Sequence, residues 1–166
     1  MEDEQQMSLI EEILSEENLS EAIKRVKANK GASGIDKMTV NQLDAYFYEH
    51  KEEIINSIMN KTYKPQPVRR VYIPKSKGKL RPLGIPTVVD RVIQQAIAQR
   101  LTPIYENVFS DYSYGFRPNR DCHTAINKLL EYLNEGFEWV IDLDIEKYFD
   151  TVNHDKLISI LREKVN

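Results

Sequence analysis

The stretch FEWVIDLDIEKYFD, residues 137–150, decides the fold, because a pattern typical of a buried strand here runs directly into a cluster of acids. With a period of two, its large apolar side chains share one face: Phe137, Trp139, Ile141, Leu143 and Ile145. Asp142 and Asp144 fall on the opposite face. The pattern predicts a strand that packs on a core and presents carboxylates at an exposed rim, which would suit a divalent cation. The alternative is an ordinary half-buried strand whose acids are only solvated.

Length and composition predict one domain or a piece of one. The chain has 166 residues, of which 41% are hydrophobic, and that is enough to bury one core. The sequence stops within an amphipathic helical pattern over residues 154–166, which favours a piece of a longer protein. A single cysteine, Cys122, excludes an internal disulfide framework. We find no signal peptide and no long apolar run, so we expect a cytoplasmic protein without a membrane segment.

Charge is segregated along the chain, although the formal net charge is only −3. Residues 1–22 carry eight acids without a Lys or Arg, whereas residues 60–89 carry eight cations without an acid. The average charge argues weakly against a nucleic-acid partner, but the basic stretch by itself argues for a polyanion.

Helices are predicted for the first third of the chain. After a short initial helix, apolar spacing predicts a second helix over residues 19–30, which Ser20 can cap. Thr39 and Gln42 form a capping box that opens a third helix, with an interruption expected near His50. We expect His50 to be a surface residue of this helix rather than a metal ligand, because no second His or Cys lies near it in sequence.

A basic β-hairpin follows. Residues 68–73 and 80–85 have strand composition, and the SKGK turn with Gly78 connects them. The cations of this region are Lys61, Lys64, Arg69, Arg70, Lys75, Lys77, Lys79 and Arg81. Lysine at a strand edge can serve only to block aggregation. Eight cations without a counter-charge exceed that need, so contact with phosphates is favoured.

The remaining elements complete an α+β pattern. Thr87 and Asp90 open a long helix with an apolar stripe, and a further helix is predicted over residues 124–133. Between them lies the loop DYSYGFRPNR, residues 111–120, whose aromatic residues either stack on bases or anchor the loop to the core. The sheet is expected to be incomplete, because a strand at residues 137–145 needs partners that the chain does not obviously supply.

Three motifs, in this order and at these spacings, resemble group II intron-encoded reverse transcriptases: IPKSKGKLRPLGIPTVVDRVIQQAI, SYGFRPNRDCHTAI and VIDLDIEKYFDTVNHDKL. The resemblance covers residues 20–166. It implies an α+β reverse-transcriptase fold that is mostly helical, with a basic β-hairpin in the fingers and an incomplete palm sheet. It further implies three segments: 1–60 with the N-terminal extension and first fingers helices, 61–136 with the rest of the fingers, and 137–166 with the start of the palm.

The resemblance also implies roles for single residues. Asp144 corresponds to the first catalytic aspartate, which binds metal, and the Ile145 carbonyl corresponds to a ligand of one ion. Phe149 matches the gate against a 2′-hydroxyl on the incoming nucleotide, and Lys75 and Arg81 match the residues that grip its triphosphate. The remaining residues expected to contact nucleic acid are Lys64, Arg69, Arg70, Lys77, Lys79, Arg117 and Arg120.

The chemistry that the resemblance implies is two-metal nucleotidyl transfer. Two Mg²⁺ ions lower the pKa of the primer 3′-hydroxyl and neutralise charge on the pyrophosphate, and they need anionic oxygen ligands. Two residues depart from the family pattern, because Asn119 stands where Gly is common and Asp121 where Ser is common. Asn tolerates the left-handed backbone that a Gly would serve, so we expect the loop shape to persist. The second metal-binding motif, which contains paired aspartates, occurs nowhere in the sequence.

The resemblance thus predicts an N-terminal part of a bacterial RNA-directed DNA polymerase and maturase that is inactive by itself. Its implied partners are group II intron RNA, an RNA template with a DNA primer, and deoxynucleoside triphosphates, and exposed apolar surface could also drive a homodimer. Two alternatives stay open: a non-catalytic RNA-binding module with the same fold, and a reverse transcriptase of a retron or a diversity-generating element.

Overall fold

The computed structural model describes residues 7–74, 78 and 80–165. The chain divides into two compact units, Met1–Thr102 and Pro103–Asn166. This boundary lies inside a helix and does not coincide with the three segments that the resemblance implies. Helices dominate both units, and one two-stranded sheet lies in the first, so the α+β class predicted from the sequence is confirmed. None of the described helices combines the length and apolar character needed to cross a membrane.

Two helices with serine caps begin the first unit. The short helix α1, Leu9–Leu14, starts at a capping box in which the Ser8 N–H donates to the Glu11 carboxylate at 2.8 Å. Helix α2, Glu16–Ala28, is capped by Ser15, whose Oγ accepts from the Asn18 N–H at 3.3 Å. The prediction that Ser20 caps this helix is therefore wrong, because the helix begins one turn earlier.

A capping box opens the next helix, as predicted. The Thr39 N–H donates to Gln42 Oε1 at 2.9 Å and starts a 3-10 turn, Val40–Gln42, which leads into α3, Leu43–Met59. The expected interruption near His50 is wrong, because α3 runs through this residue without a break. The His50 ring stacks on Tyr46 at 4.3 Å between centroids, and its Nδ1 lies 3.1 Å from the Tyr46 carbonyl oxygen.

The hairpin is confirmed. Strands β1, Arg69–Pro74, and β2, Leu80–Ile85, pair antiparallel, with Arg69 opposite Ile85 and Ile73 opposite Arg81. Most residues of both strands are exposed, so the hairpin projects from its base rather than packing along its length. Val68 closes on Gly84 across the base, where a Cβ on Gly84 would lie 2.8 Å from a Val68 methyl group.

One hydrophobic core lies in the first unit, between α1, α2, α3 and the first turns of α4, Val88–Glu106. Its fully buried side chains include Leu43, Val88 and Val92. Asn18 is 4% exposed and donates to the Ala96 carbonyl at 3.0 Å, which ties α2 to α4 by a buried hydrogen bond.

The second unit contains short helices and long exposed segments. Helix α5, Cys122–Asn134, is capped by Asp121, which accepts from the Thr124 N–H at 2.7 Å. The hydrogen bonds that the backbone N–H and the hydroxyl of Thr124 donate to the Asp121 carboxylate lower the pKa of this carboxyl group. Asp where the family often has Ser therefore preserves a helix cap, because both residue types cap well. The helices α6, Tyr148–Thr151, and α7, His154–Leu161, complete the unit.

The strand predicted over residues 137–145 does not form. Within the part of the chain that the structure describes, this segment pairs with no strand, and its side chains are exposed rather than packed on a core. Trp139 is 94% exposed and Leu143 is 88% exposed. A strand is stable only when neighbouring strands satisfy its backbone groups and a layer covers its apolar face, and the described residues supply neither here.

Candidate metal, nucleotide and nucleic-acid site

The acidic segment presents its predicted site residues to solvent. Asp144 and Ile145 lie in an exposed stretch without regular secondary structure, directly before a left-handed residue, Lys147, with φ 50°. Phe149 on α6 is 87% exposed, and its ring meets the Tyr148 ring edge-on at 5.4 Å between centroids. The side chains of Phe149 and Asp144 are therefore both exposed, and neither is backed by the core that the strand pattern predicted.

The oxygen donors of this segment suit Mg²⁺ in type but form only part of a site. Asp144 offers an anionic carboxylate and Ile145 a backbone carbonyl, and hard oxygen donors of this kind are the ones that Mg²⁺ takes. Across residues 7–74, 78 and 80–165, no group of three or more His, Cys, Asp or Glu side chains lies close enough together to hold an ion. The residues fit the metal as two contributors to a larger ligand set.

The hairpin cations fall on both faces of the ribbon. Residues directly opposite each other in an antiparallel pair share a face, so Arg81 shares a face with Ile73. Val71 and Arg69, two and four residues before Ile73, lie on the same face. Arg70 lies on the opposite face, with Gly84 as its partner. Arg81 and Arg70 are exposed and available to phosphates, but they point to opposite sides.

The remaining cations of this region differ in their surroundings. Lys64 is exposed, before the first strand. Arg69 is half-buried, and its Nε donates to the Ser33 carbonyl at 2.9 Å, so part of this guanidinium serves the protein itself. Lys75, Lys77 and Lys79 lie outside the described residues.

Arg117 holds a loop together through the hydrogen bonds of its side chain. Its side chain is 6% exposed, and its five N–H donors are all used: Nε and Nη2 at Glu106 Oε1, Nη2 also at the Glu106 carbonyl, and Nη1 at the carbonyls of Ser110 and Ser113. Its guanidinium also lies 5.3 Å from the Phe109 ring centroid. The expectation that Arg117 contacts nucleic acid stays a prediction, and its N–H donors are already paired within the protein.

The rest of the loop is held in an unusual backbone conformation. Phe116 and Asn119 have φ values of 56° and 58°, in the left-handed region. The expectation for Asn119 is confirmed, because this residue occupies the conformation that a glycine would adopt easily. Arg120 donates to the Asp111 carbonyl and lies 5.6 Å from the Tyr114 ring centroid, so it too supports the loop, although a quarter of its side chain stays exposed.

Sequence reasoning missed the role of Asp90. It was expected only to open a helix, yet its carboxylate is 3% exposed and accepts from the Tyr63 hydroxyl at 2.6 Å and from the Thr87 hydroxyl at 2.6 Å. Burial, followed by this hydrogen bond to Asp90, raises the pKa of the Tyr63 hydroxyl. Only the spacing of Thr87 and Asp90, typical of a helix start, hinted at part of the arrangement, because Tyr63 lies 27 residues away in sequence.

Comparison with known proteins supports the resemblance that the three sequence motifs indicate. A model of the family described as "Reverse transcriptase (RNA-dependent DNA polymerase)" matches residues 73–164, which is more than half of the chain. The chain therefore belongs to the reverse transcriptase family. Several of its relatives are intron-encoded proteins by name, in agreement with the group II intron resemblance that the motifs indicate.

Three relatives show the extent of the similarity. The chain is 40% identical over 164 residues to protein YkfC of Escherichia coli, covering 95% of this chain and 43% of that protein. It is 44% identical over 147 residues to group II intron-encoded protein LtrA of Lactococcus lactis, covering 87% and 24%. It is 36% identical over 146 residues to the putative COX1/OXI3 intron 2 protein of Saccharomyces cerevisiae, covering 87% and 17%. The chain thus spans less than half the length of each.

Proposed function

We propose that this chain forms the fingers and the start of the palm of an RNA-directed DNA polymerase that copies RNA into DNA and binds group II intron RNA. The observation that carries the proposal is the family match over residues 73–164, which contains the three motif residues Arg81, Asp144 and Phe149. The exposure of all three side chains supports it, because a binding site needs groups that a ligand can reach. The names of the intron-encoded relatives support the intron RNA as a partner.

A different physical interaction is proposed for each residue expected to bind the nucleotide: Arg81, Lys75 and Phe149. Arg81 can donate two parallel hydrogen bonds to phosphate oxygens, whereas Lys75 acts as a point charge on the same triphosphate. The Phe149 ring excludes a 2′-hydroxyl by steric contact, which selects deoxynucleotides without any charged group.

Metal binding belongs to the acidic segment. Asp144 and the Ile145 carbonyl would hold Mg²⁺ together with ligands from outside this chain. Bound there, Mg²⁺ would lower the pKa of the primer 3′-hydroxyl and neutralise charge on the pyrophosphate. The sequence lacks the paired aspartates of the second motif, so we propose that the 166-residue chain alone does not polymerise.

The test is a binding and extension experiment with the purified chain. A fluorescently labelled DNA primer on an RNA template should bind with an affinity that falls steeply with salt, because phosphate contacts release counterions. Arg81→Ala and Arg70→Ala should each weaken binding, whereas Lys156→Ala, which removes an exposed cation of α7, should leave it nearly unchanged. Primer extension by the chain alone with Mg²⁺ would overturn the proposed inactivity. Equal effects of all three substitutions would remove the hairpin from the interface.

A further inference from the structure

One oxygen atom of Asp90 joins the two ends of the basic hairpin. Its Oδ2 accepts the Gln66 N–H at 3.1 Å and the Thr87 hydroxyl at 2.6 Å. Gln66 comes shortly before β1, and Thr87 comes directly after β2 and Pro86. The other oxygen, Oδ1, accepts the Tyr63 hydroxyl at 2.6 Å. Three donors therefore converge on one buried carboxylate at the point where the hairpin leaves the rest of the unit.

The same base is closed on a second side by a glycine-containing loop. A Cβ on Gly34 would lie 2.6 Å from the Thr87 Cα and 2.9 Å from the Pro86 carbonyl oxygen, so only glycine permits this approach. Two arginines hold the loop there, because Arg91 Nη2 donates to the Ala32 carbonyl at 2.8 Å and Arg69 Nε donates to the Ser33 carbonyl.

The contacts at the base of the hairpin set the direction in which the exposed hairpin extends. Each strand has six residues and spans about 20 Å at roughly 3.3 Å per residue. Apart from residues at its base, the hairpin is largely exposed, so few contacts along the strands hold its direction. A rotation of about 10° at the base would move the far end by roughly 3 Å over that length. Arg81, the second residue of β2, lies toward this far end.

A buried carboxylate suits this role better than an apolar side chain. Burying a charge is costly unless hydrogen bonds compensate, and here two hydroxyls and one backbone N–H do so. An apolar residue at position 90 could fill the space but would leave those three donors without partners, and it could not fix their relative positions.

We propose that Asp90 is a positioning residue, which fixes the direction of the basic hairpin and thereby the place of Arg81 toward phosphate. The role of Arg81 rests on the proposed function, whereas the role of Asp90 in the geometry of the hairpin does not. In this role Asp90 contacts neither nucleotide nor nucleic acid and acts only through the two ends of the hairpin.

The first test measures the direction of the hairpin. Spin labels at Tyr72→Cys, an exposed position of β1, and at Lys24→Cys, in a Cys122→Ser background, report the distance between the hairpin and α2 by pulsed electron paramagnetic resonance. Asp90→Asn and Thr87→Val should both broaden the distance distribution at temperatures far below unfolding. Asn18→Ala, which removes a different buried polar link to α4, should lower the unfolding temperature without broadening the distribution. Unchanged widths in both hairpin-base variants would overturn the proposal.

The second test joins the geometry to binding by a double-mutant cycle. Asp90→Asn should weaken binding of the labelled primer–template at least threefold in the unsubstituted chain and by clearly less when Arg81 is already alanine. If Arg81→Ala alone has no effect, the proposed function of Arg81 fails while the distance measurement still decides the role of Asp90. If Arg81→Ala weakens binding and Asp90→Asn does not, the positioning role is refuted.

Discussion

Arg117 and Glu106 form a chelated ion pair, in which Nη2 and Nε of the guanidinium lie 2.7 and 3.0 Å from the same carboxylate oxygen. The arginine side chain is 6% exposed and the glutamate side chain 29%. The pair fixes the SYGFRPNR loop against the end of α4. The arginine of the SYGFRPNR motif is thus held by hydrogen bonds within the loop and to the end of α4.

Loss of Arg117 should destabilise the second unit. Arg117→Ala leaves the Glu106 carboxylate and three backbone carbonyls, two of them in the loop, without their donor, so we expect the free energy of unfolding to fall by about 2–4 kcal/mol in urea titrations. Arg117→Lys should not restore it, because an ammonium cannot make the five-donor arrangement. Arg120→Ala, whose partner Asp111 is 93% exposed, should cost less than about 1 kcal/mol. Similar losses for Arg117→Ala and Arg120→Ala would contradict this assignment.

The close approach at Gly34 can be tested with a single methyl group. Gly34→Ala should lower the free energy of unfolding by about 1–3 kcal/mol, because the methyl group would overlap the backbone at Thr87 and Pro86. Gly115→Ala is the matched control, since a Cβ there meets no atom within 4 Å. Thermal unfolding followed by circular dichroism measures both variants, and an equal change would argue against the tight contact.

The left-handed residue in the loop makes an opposite pair of predictions. Asn119→Gly should change the free energy of unfolding by no more than about 0.5 kcal/mol, because glycine adopts the observed φ of 58° without strain. Asn119→Val should cost about 2 kcal/mol, because a β-branched side chain clashes in this conformation. Chemical denaturation measures the free energy of unfolding of both variants. Equal values for Asn119→Gly and Asn119→Val would contradict the prediction.

Tyr63 should make stability depend on alkaline pH. Its pKa is raised by burial and by the hydrogen bond to Asp90, above the value near 10 of an unfolded chain. The folded state therefore keeps a proton that the unfolded state releases. The contribution of the Tyr63 hydroxyl to the free energy of unfolding is complete below pH 10 and is lost as pH rises above that value. Tyr63→Phe should flatten the decline of unfolding free energy between about pH 10 and 11. Tyr48→Phe, at a position 94% exposed, is the control.

Metal binding can be followed without any polymerase activity. Mn²⁺ in place of Mg²⁺ should broaden the backbone NMR signals of residues 143–150, because Asp144 and the Ile145 carbonyl offer oxygen ligands there. Asp144→Asn should raise the Mn²⁺ concentration needed for this broadening several-fold, whereas Asp142→Asn should raise it less. Equal effects of the two substitutions would mean that Mn²⁺ is attracted to the negative charge of the segment in general and is not bound by Asp144 in particular.

The sequence by itself was sufficient for the elements whose signals are local. The capping box at Thr39 and Gln42 and the left-handed Asn119 depend on neighbouring residues, whereas the hairpin depends on two strand patterns joined by a short turn. The structure confirms all three. Helix bounds were less certain, as the error at Ser20 shows, because Ser15 and Ser20 both suit a cap and only packing selects between them. The motifs also identified the family, because they depend on residue order and not on contacts.

Tertiary structure decided the features that depend on distant partners. Periodicity predicted a strand at residues 137–145, but a strand also needs neighbours for its backbone, and the described residues provide none. The hydrogen bond between Tyr63 and Asp90 joins residues 27 positions apart, and the ion pair of Arg117 with Glu106 joins residues 11 positions apart, so no local pattern shows either contact. A side chain's type is written in the sequence, whereas its burial and its hydrogen-bond partners arise only when remote segments meet.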